Sequence, residues 1–230
     1  MTTTTVLGYA RLPGLMARMT GDEKHAMAAA STVDVLWVLY DRVLNVRPDN
    51  VDDPDRDRFL LSKGHGPAAY YAVLAAKGFL DPGSLGGWRG RDSPLGGHPD
   101  RLLVPGVEIS SGSLGHGLPI AIGVALGLGV RGRRSPRVFV LVGDGELDEG
   151  SNHEAIALAG RLGLERLNVV VVDNTSSTHG WPGGIAERFR VEGWATRTVG
   201  ARDHDALYSA FTAPHPGRPA VVVARLEGEL

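Results

Sequence analysis

Asp144 and Asn174 are the two residues in mid-chain whose types suit a hard divalent cation. A carboxylate and an amide oxygen fit magnesium, which keeps one or two protein carboxylates and fills its other positions with phosphate oxygens and water. Each follows a short β-branched run. Residues 138–142 precede Gly143-Asp144-Gly145, and residues 169–172 precede Asp173-Asn174. Runs of four to eight apolar residues bounded by Gly and Asp read as buried parallel strands. Between them, residues 149–164 carry Ala155, Ile156, Ala159 and Leu162 at helical spacing. The whole is a β-α-β unit, whose right-handed crossover returns both strand ends to one sheet edge. Ligands of open α/β sheets bind at that edge. Asp144 and Asn174, 30 positions apart, are therefore expected to be neighbours. Gly143 and Gly145 leave room for a diphosphate to approach the backbone. Taken singly, Asp144 opens a turn and Asn174 caps a helix; the paired strands and the acid-rich helix start together favour the ion site.

Three further stretches place histidine among glycines. Ser62-Lys63-Gly64-His65-Gly66 lies at a strand-to-helix turn, between a short strand at 58–62 and a helix at 67–77. Two glycines around His65 fit a backbone that must come close to a ligand, the plainer reading being a hydrogen-bonded turn. Gly97-His98-Pro99-Asp100 sits in the long connection 81–106, and connections of that length without regular structure are usually functional. Ser110-Ser111-Gly112-Ser113-Leu114-Gly115-His116-Gly117 opens an apolar helix at 118–130 that is expected to be buried. A Gly- and Ser-rich turn at a helix start is a plausible cradle for phosphate and polar ring groups. The acids Glu146 and Asp148 are explained by the dipole of the helix they begin.

The remaining elements complete an α/β domain. Asp22 is a plausible N-cap for a helix running to about residue 46, with His25 in its first turn. Residues 195–199, 203–213 and 220–224 read as a closing β-α-β. A loose arm with a short helix near residues 12–19 is expected over 1–21, and one domain over 22–230. The 24 basic and 26 acidic residues give a net charge of −2 with no basic run, so neither nucleic acid nor a membrane is the expected partner. Cysteine is absent, which excludes disulfides and thiol chemistry. The N-terminus lacks the basic and apolar regions of a signal peptide, and a cytoplasmic protein is expected.

These motifs resemble one family in its own chain order. Gly143-Asp144-Gly145, 28 intervening residues and Asn174 look like the thiamin diphosphate motif. Residues 143–150, Glu154, Ala159-Gly160 and Asp173-Asn174 resemble its transketolase version. Residues 62–66, 97–100 and 110–117 are similar to the transketolase segments Ser-x-Gly-His-Gly, Gly-His-Pro-Glu and Thr-Gly-Pro-Leu-Gly-Gln-Gly, and the likeness extends over about 22–224. It implies the thiamin-diphosphate-binding fold, an α/β parallel sheet with helices on both faces. It implies Mg2+ (or Ca2+) held by the side chains of Asp144 and Asn174 and the backbone carbonyl of Ser176. Gly143, Asp144, Gly145 and Glu146 would then line the diphosphate of thiamin diphosphate, and the backbone at Gly112, Ser113 and Leu114 would meet the rest of the cofactor. His65 would lie beside the thiazolium and the substrate hydroxyls, and His98 would contact donor-sugar oxygens. His25 has the family's spacing, nine residues before Asp34, without the surrounding Ser-Gly-His-Pro-Gly. Glu149 and Glu154 match acids at the interface between subunits. Asp100 stands for Glu, Ser113 for Pro, His116 for Gln and His179 for Asp. Ser176 and Thr178 replace apolar residues.

Thiamin chemistry in this family also needs a buried glutamate from a pyrimidine-binding domain. The 230 residues leave no room for that domain, and the family's Thr-x-Gly-x-Gly segment is missing after residue 224. The expectation is the diphosphate-binding subunit of a two-component transketolase, active only with a C-terminal, pyrimidine-domain subunit in an α2β2 heterotetramer. It would move a two-carbon ketol unit from a ketose, often a sugar phosphate, to an aldose. The alternatives are a subunit of a decarboxylating thiamin enzyme, of the 2-oxo acid dehydrogenase or deoxysugar-phosphate synthase type, and a non-catalytic regulatory subunit. The Gly-His-Pro-Asp segment argues for ketol transfer, and the retained histidines argue against a scaffold.

Overall fold

Five strands, β1 (Arg58–Leu61), β2 (Val138–Gly143), β3 (Leu167–Asp173), β4 (Ala195–Gly200) and β5 (Ala220–Arg225), form one sheet in the order β1-β2-β3-β5-β4. Every pair is parallel. The structure is a computed structural model that describes residues 6–21 and 29–226, so His25 and the tail beyond 226 lie outside the described residues. The strands are rich in Val and Leu, as parallel strands covered on both faces must be.

Alternation along each strand sorts its side chains to two faces. Phe59, Leu61, Phe139, Leu141, Val170, Val172 and Val222 enter one core. That core is closed by α1 (Leu12–Met16), α2 (Val33–Val38), α3 (Ala68–Ala76) and α7 (His204–Thr212). Leu60, Val138, Val140, Val142, Val169, Val171 and Val221 enter the other, under α4 (Gly117–Val130), α5 (Gly150–Leu162) and α6 (Ile185–Arg190). Among the described residues no helix is long and apolar enough to cross a membrane.

Three local expectations change. The stretch expected as a loose arm contributes Leu12 and Leu15 to the first core, and Leu7 N–H bonds the Ala76 carbonyl at 2.8 Å. Two leucines at i and i+3 make one apolar face, enough to dock a single turn. The helix expected to run unbroken to about 46 restarts at Val33 after a turn, then widens into a π-helical turn at Leu39–Val43. There Tyr40 packs on Phe59 and Phe79 and its hydroxyl meets that of Tyr70 at 3.0 Å. The largest difference is α4. Only Gly117, Leu118, Ala121 and Ile122 are buried, while Ile120 and Leu126 are each 42% exposed and Val130 is 90% exposed. An all-apolar helix on the surface of a sheet presents only one side to that sheet, so its composition alone does not bury the rest.

Two glycines on neighbouring helices test the packing with opposite signs. A Cβ on Gly160 would fall inside the envelope of the Glu192 carbonyl oxygen, whereas one on Gly127 would meet nothing within 4 Å. Gly160→Ala is expected to cost about 1–3 kcal/mol or more. Gly127→Ala is expected to stabilise the isolated chain by up to about 1 kcal/mol. Urea unfolding of both variants checks the pair, and a common sign would contradict the packing described.

Candidate functional site

The site gathers at the carboxyl ends of β1, β2 and β3. Gly143 pairs with Val172, which sets Asp144 beside the end of β3, and Asp144 N–H bonds the Val172 carbonyl at 3.1 Å. The Asp144 side chain is 1% exposed. Its Oδ2 accepts the N–H groups of Ser176 (2.6 Å) and Ser177 (3.0 Å), and its Oδ1 accepts the Ser176 hydroxyl (2.6 Å). An ionised carboxylate has about four lone-pair positions, so one remains. Thr175 makes the reversal that folds Ser176 and Ser177 back onto Asp144. Its φ of +59° is a left-handed conformation that a β-branched residue holds only under constraint. Asp173 and the Asn174 carbonyl supply that constraint, accepting the Thr175 N–H at 3.3 Å and its hydroxyl at 2.7 Å.

Asn174 Oδ1 is buried and has no hydrogen-bond partner. An orphaned acceptor of this kind costs about 1–3 kcal/mol and calls for a water or an ion. The Ser176 carbonyl faces Gly145, where a Cβ would stand 3.3 Å from its oxygen. Among the described residues no group of three or more His, Cys, Asp or Glu is placed to hold a metal. A carboxylate, an amide oxygen and a backbone carbonyl fit instead the oxygen set of a hard cation whose remaining positions a diphosphate fills.

Behind these oxygens the loops interlock. Glu146 is buried. Its Oε1 accepts the Ser62 hydroxyl and the Gly115 N–H (2.9 Å), and its Oε2 lies 3.3 Å from Gly143 N. Ser62 Oγ accepts the Gly117 N–H at 2.9 Å. Any side chain on Gly117 would collide with Ser62, and one on Gly64 would reach Gly112 N at 2.7 Å. Glycine stands there because two backbones touch. Burial raises the Glu146 carboxyl above its ordinary range, against the Ser62 hydroxyl, the two N–H groups and the Lys63 charge. Lys63 covers Gly143 with its methylenes and donates to Ser31 Oγ at 3.0 Å. Burial pushes its ammonium down to about 8, and the charges of Asp144 and Glu146 oppose that shift.

His65 and His98 meet edge to face, ring centroids 5.1 Å apart. The Tyr71 hydroxyl lies 3.1 Å from the carbonyls of both Gly96 and His98, and Trp88 Nε1 donates to Gly96 at 2.9 Å. A Cβ on Gly112 would stand 3.0 Å from the His98 ring, so the 110–117 turn closes against this histidine. Ser111 Oγ beside it is buried without a partner. The structure thus joins Gly143, Asp144, Gly145 and Ser176 in one cluster, with Asn174 on the reversal leading into Ser176, and links His65, His98 and Gly112 to it through the 62–66 loop. Ser113 is exposed and Leu114 half-buried on the same turn. Glu149 and Glu154 are exposed on and before α5.

Lys63 and Asn152 have no distinguishing signal in the sequence, and the motifs that contain Ser62 and Ser111 give neither serine a role of its own. Asn152 is fully buried and donates to the Glu146 carbonyl at 2.6 Å. Glu146 is not the solvated helix-start acid its position suggests, because α5 begins at Gly150, beyond a 3-10 turn that carries Glu146 inward. Asp148 does stay near solvent, accepting from Ser177 and Thr178 and so holding the 176–179 stretch.

Comparison with known proteins points to one family. The family model for "Transketolase, thiamine diphosphate binding domain" matches residues 15–225. A Rhodococcoides fascians protein named Ferredoxin fas2 is 58% identical over 220 residues, 96% of this chain and 72% of that protein. One subunit of the apulose-4-phosphate transketolase of Actinobacillus succinogenes is 36% identical over 207 residues, 87% of this chain and 75% of that protein. The solved transketolase from Leishmania mexicana superposes with a TM-score of 0.74 at 29% identity, over 90% of this chain and 37% of that one. The chain therefore spans little more than a third of that transketolase. The word ferredoxin speaks of iron–sulfur chemistry, but these 230 residues contain no cysteine and offer no thiolate to a cluster.

Lys63 provides a pH signature of the site. Its folded pKa of about 8 lies below the ordinary 10.5, so between these values the unfolded chain binds more protons. Stability must then rise with pH across that window, by up to about 1.4 kcal/mol per pH unit. Tyrosine ionisation in the unfolded chain opposes the trend from about pH 10. The stability difference between wild type and Lys63→Met isolates the lysine. It should grow from about pH 8 toward 10 in chemical unfolding, and a flat difference would contradict the buried ammonium.

Proposed function

The chain belongs to the transketolase family through its thiamine diphosphate binding domain, and on that premise we propose that it is the metal- and diphosphate-binding subunit of a two-component transketolase. The observation that carries this reading is the buried, unpartnered Asn174 Oδ1 on the reversal whose Ser176 binds Asp144, an acceptor that a cation held with Asp144 would satisfy. Asp144, Asn174 and the Ser176 carbonyl would hold Mg2+ (or Ca2+), with Gly143 and Gly145 admitting the diphosphate. When bound, thiamin diphosphate supplies the nucleophilic carbon and electron sink that cleavage of a ketose carbon–carbon bond needs. The chain's own residues position and protonate. His65 and His98, in ring contact, exchange protons with the hydroxyls of the donor sugar. The turn 112–114 seats the cofactor, and the close glycine contacts at Gly64 and Gly117 hold that turn against the 62–66 loop.

The reaction is transfer of a two-carbon ketol unit from a ketose to an aldose. The relative from Actinobacillus succinogenes is named as one subunit of a transketolase for a sugar phosphate, which supports both a phosphorylated ketose and a separate second polypeptide here. We place the pyrimidine-binding domain on that second polypeptide. The apolar surface of α4 and α5, with Ile120, Leu126, Val130, Leu158 and Leu162 exposed, supports assembly, and an α2β2 heterotetramer would cover it.

Calorimetry with magnesium and thiamin diphosphate tests the site. Wild type should bind, and Asp144→Ala should bind at least about tenfold more weakly. Ketol transfer should appear only on mixing with the partner. Turnover of a ketose by this chain alone would contradict the two-component arrangement, and carbon dioxide release from a 2-oxo acid would contradict ketol transfer.

A further inference from the structure

Glu146 sits two residues beyond Asp144 yet spends its side chain inside the protein. Both carboxylate oxygens face groups of the chain: the Ser62 hydroxyl and Gly115 N–H on one, Gly143 N–H on the other. Ser62 relays the tie to Gly117, and the Glu146 carbonyl takes the Asn152 amide. Segments far apart in sequence thus converge on one residue that is 2% exposed. Two of them carry the parts assigned above to the cofactor's ring end: the 62–66 loop bears His65, and the 110–117 turn bears Gly112, Ser113 and Leu114.

The ion-binding oxygens are held differently. Asp144 is fixed by the Val172 carbonyl and by Ser176 and Ser177, none of them among the hydrogen-bond partners of the Glu146 side chain. One pocket therefore has two supports, which meet where Glu146 takes the Gly143 N–H at 3.3 Å. The diphosphate end rests on β2, β3 and the 174–177 reversal. The ring end rests on Glu146.

We propose that Glu146 is a positioning residue that sets the 62–66 and 110–117 loops in register with the ion site, so that binding of the whole cofactor depends on it while binding of the diphosphate group does not. This rests on the thiamin diphosphate reading. The chemistry of the side chain makes it sensitive to one atom. A carboxylate accepts on both oxygens, whereas an amide in either orientation turns an N–H2 toward a buried donor. Glu146→Gln therefore keeps size and shape but leaves one of the ties donor against donor.

The test compares two ligands by calorimetry on the full chain mixed with its pyrimidine-domain partner, each with magnesium: thiamin diphosphate and inorganic pyrophosphate. In Glu146→Gln the affinity for thiamin diphosphate should fall about tenfold or more, the scale of one unsatisfied buried donor. Affinity for pyrophosphate should stay within about twofold. Ser62→Ala, which removes the relay but leaves Gly115 tied, should shift the ratio the same way by less. It decides the matter if the Gln variant does not fold. Equal losses for both ligands, or no loss for either, overturn the inference. A wild type that prefers thiamin diphosphate no more than pyrophosphate overturns it while leaving the ion site standing. A wild type that takes neither ligand overturns the cofactor reading itself, and this inference with it.

Discussion

Parallel pairing of β2 with β3 is the constraint from which the site follows. Because the strands run the same way, their carboxyl ends finish at one edge, and the register Gly143 to Val172 leaves Asp144 and Asn174 as the first residues free of the ladder. An antiparallel pair would send the two oxygens to opposite ends of the sheet. The crossover through α5 makes the parallel arrangement, and the small residues Ala155, Ala159 and Gly160 let that helix lie close to the sheet and to the Glu192 carbonyl. The chemistry of the strand tips thus depends on packing a full helix away from them.

The edge is also a concentration of charge in a place with little water. Asp144, Glu146 and Lys63 are all deeply placed within a few residues of strand ends. Buried charges persist only when hydrogen-bonded or paired, and here the donors come mainly from backbone N–H groups at glycines and serines. That explains why these loops are rich in both residues. Glycine lets an N–H approach a carboxylate without a side chain between them, and serine adds a hydroxyl that can accept from one loop while donating to another, as Ser62 does.

Much of this was legible from residue order. The β-branched runs located the strands, because parallel strands must be apolar on both faces. Gly-Asp-Gly and Asp-Asn after two such runs located the two loops that fold together around Asp144. What stayed hidden has a common cause. Hydrogen bonds between distant loops leave no periodicity, so the motif at 62–66 did not show what Ser62 ties together, and Glu146 looked like one more acid at a helix start. The 3-10 turn at Gly145–Asp148 decides which acids point inward, and nothing in Glu-Leu-Asp-Glu ranks them. The apolar run of α4 misled for the opposite reason: composition reports that a face will be covered, not by what.

That bare helix has a consequence for the cell. A chain that carries Ile120, Leu126 and Val130 uncovered on a glycine-lined face would, in surplus, seek apolar surface wherever it finds it. Supply of this polypeptide must then keep pace with that of whatever shields the helix, and any excess becomes a substrate for chaperones and proteases. On the two-component reading, matched synthesis would follow from the oiliness of one helix as much as from the needs of catalysis.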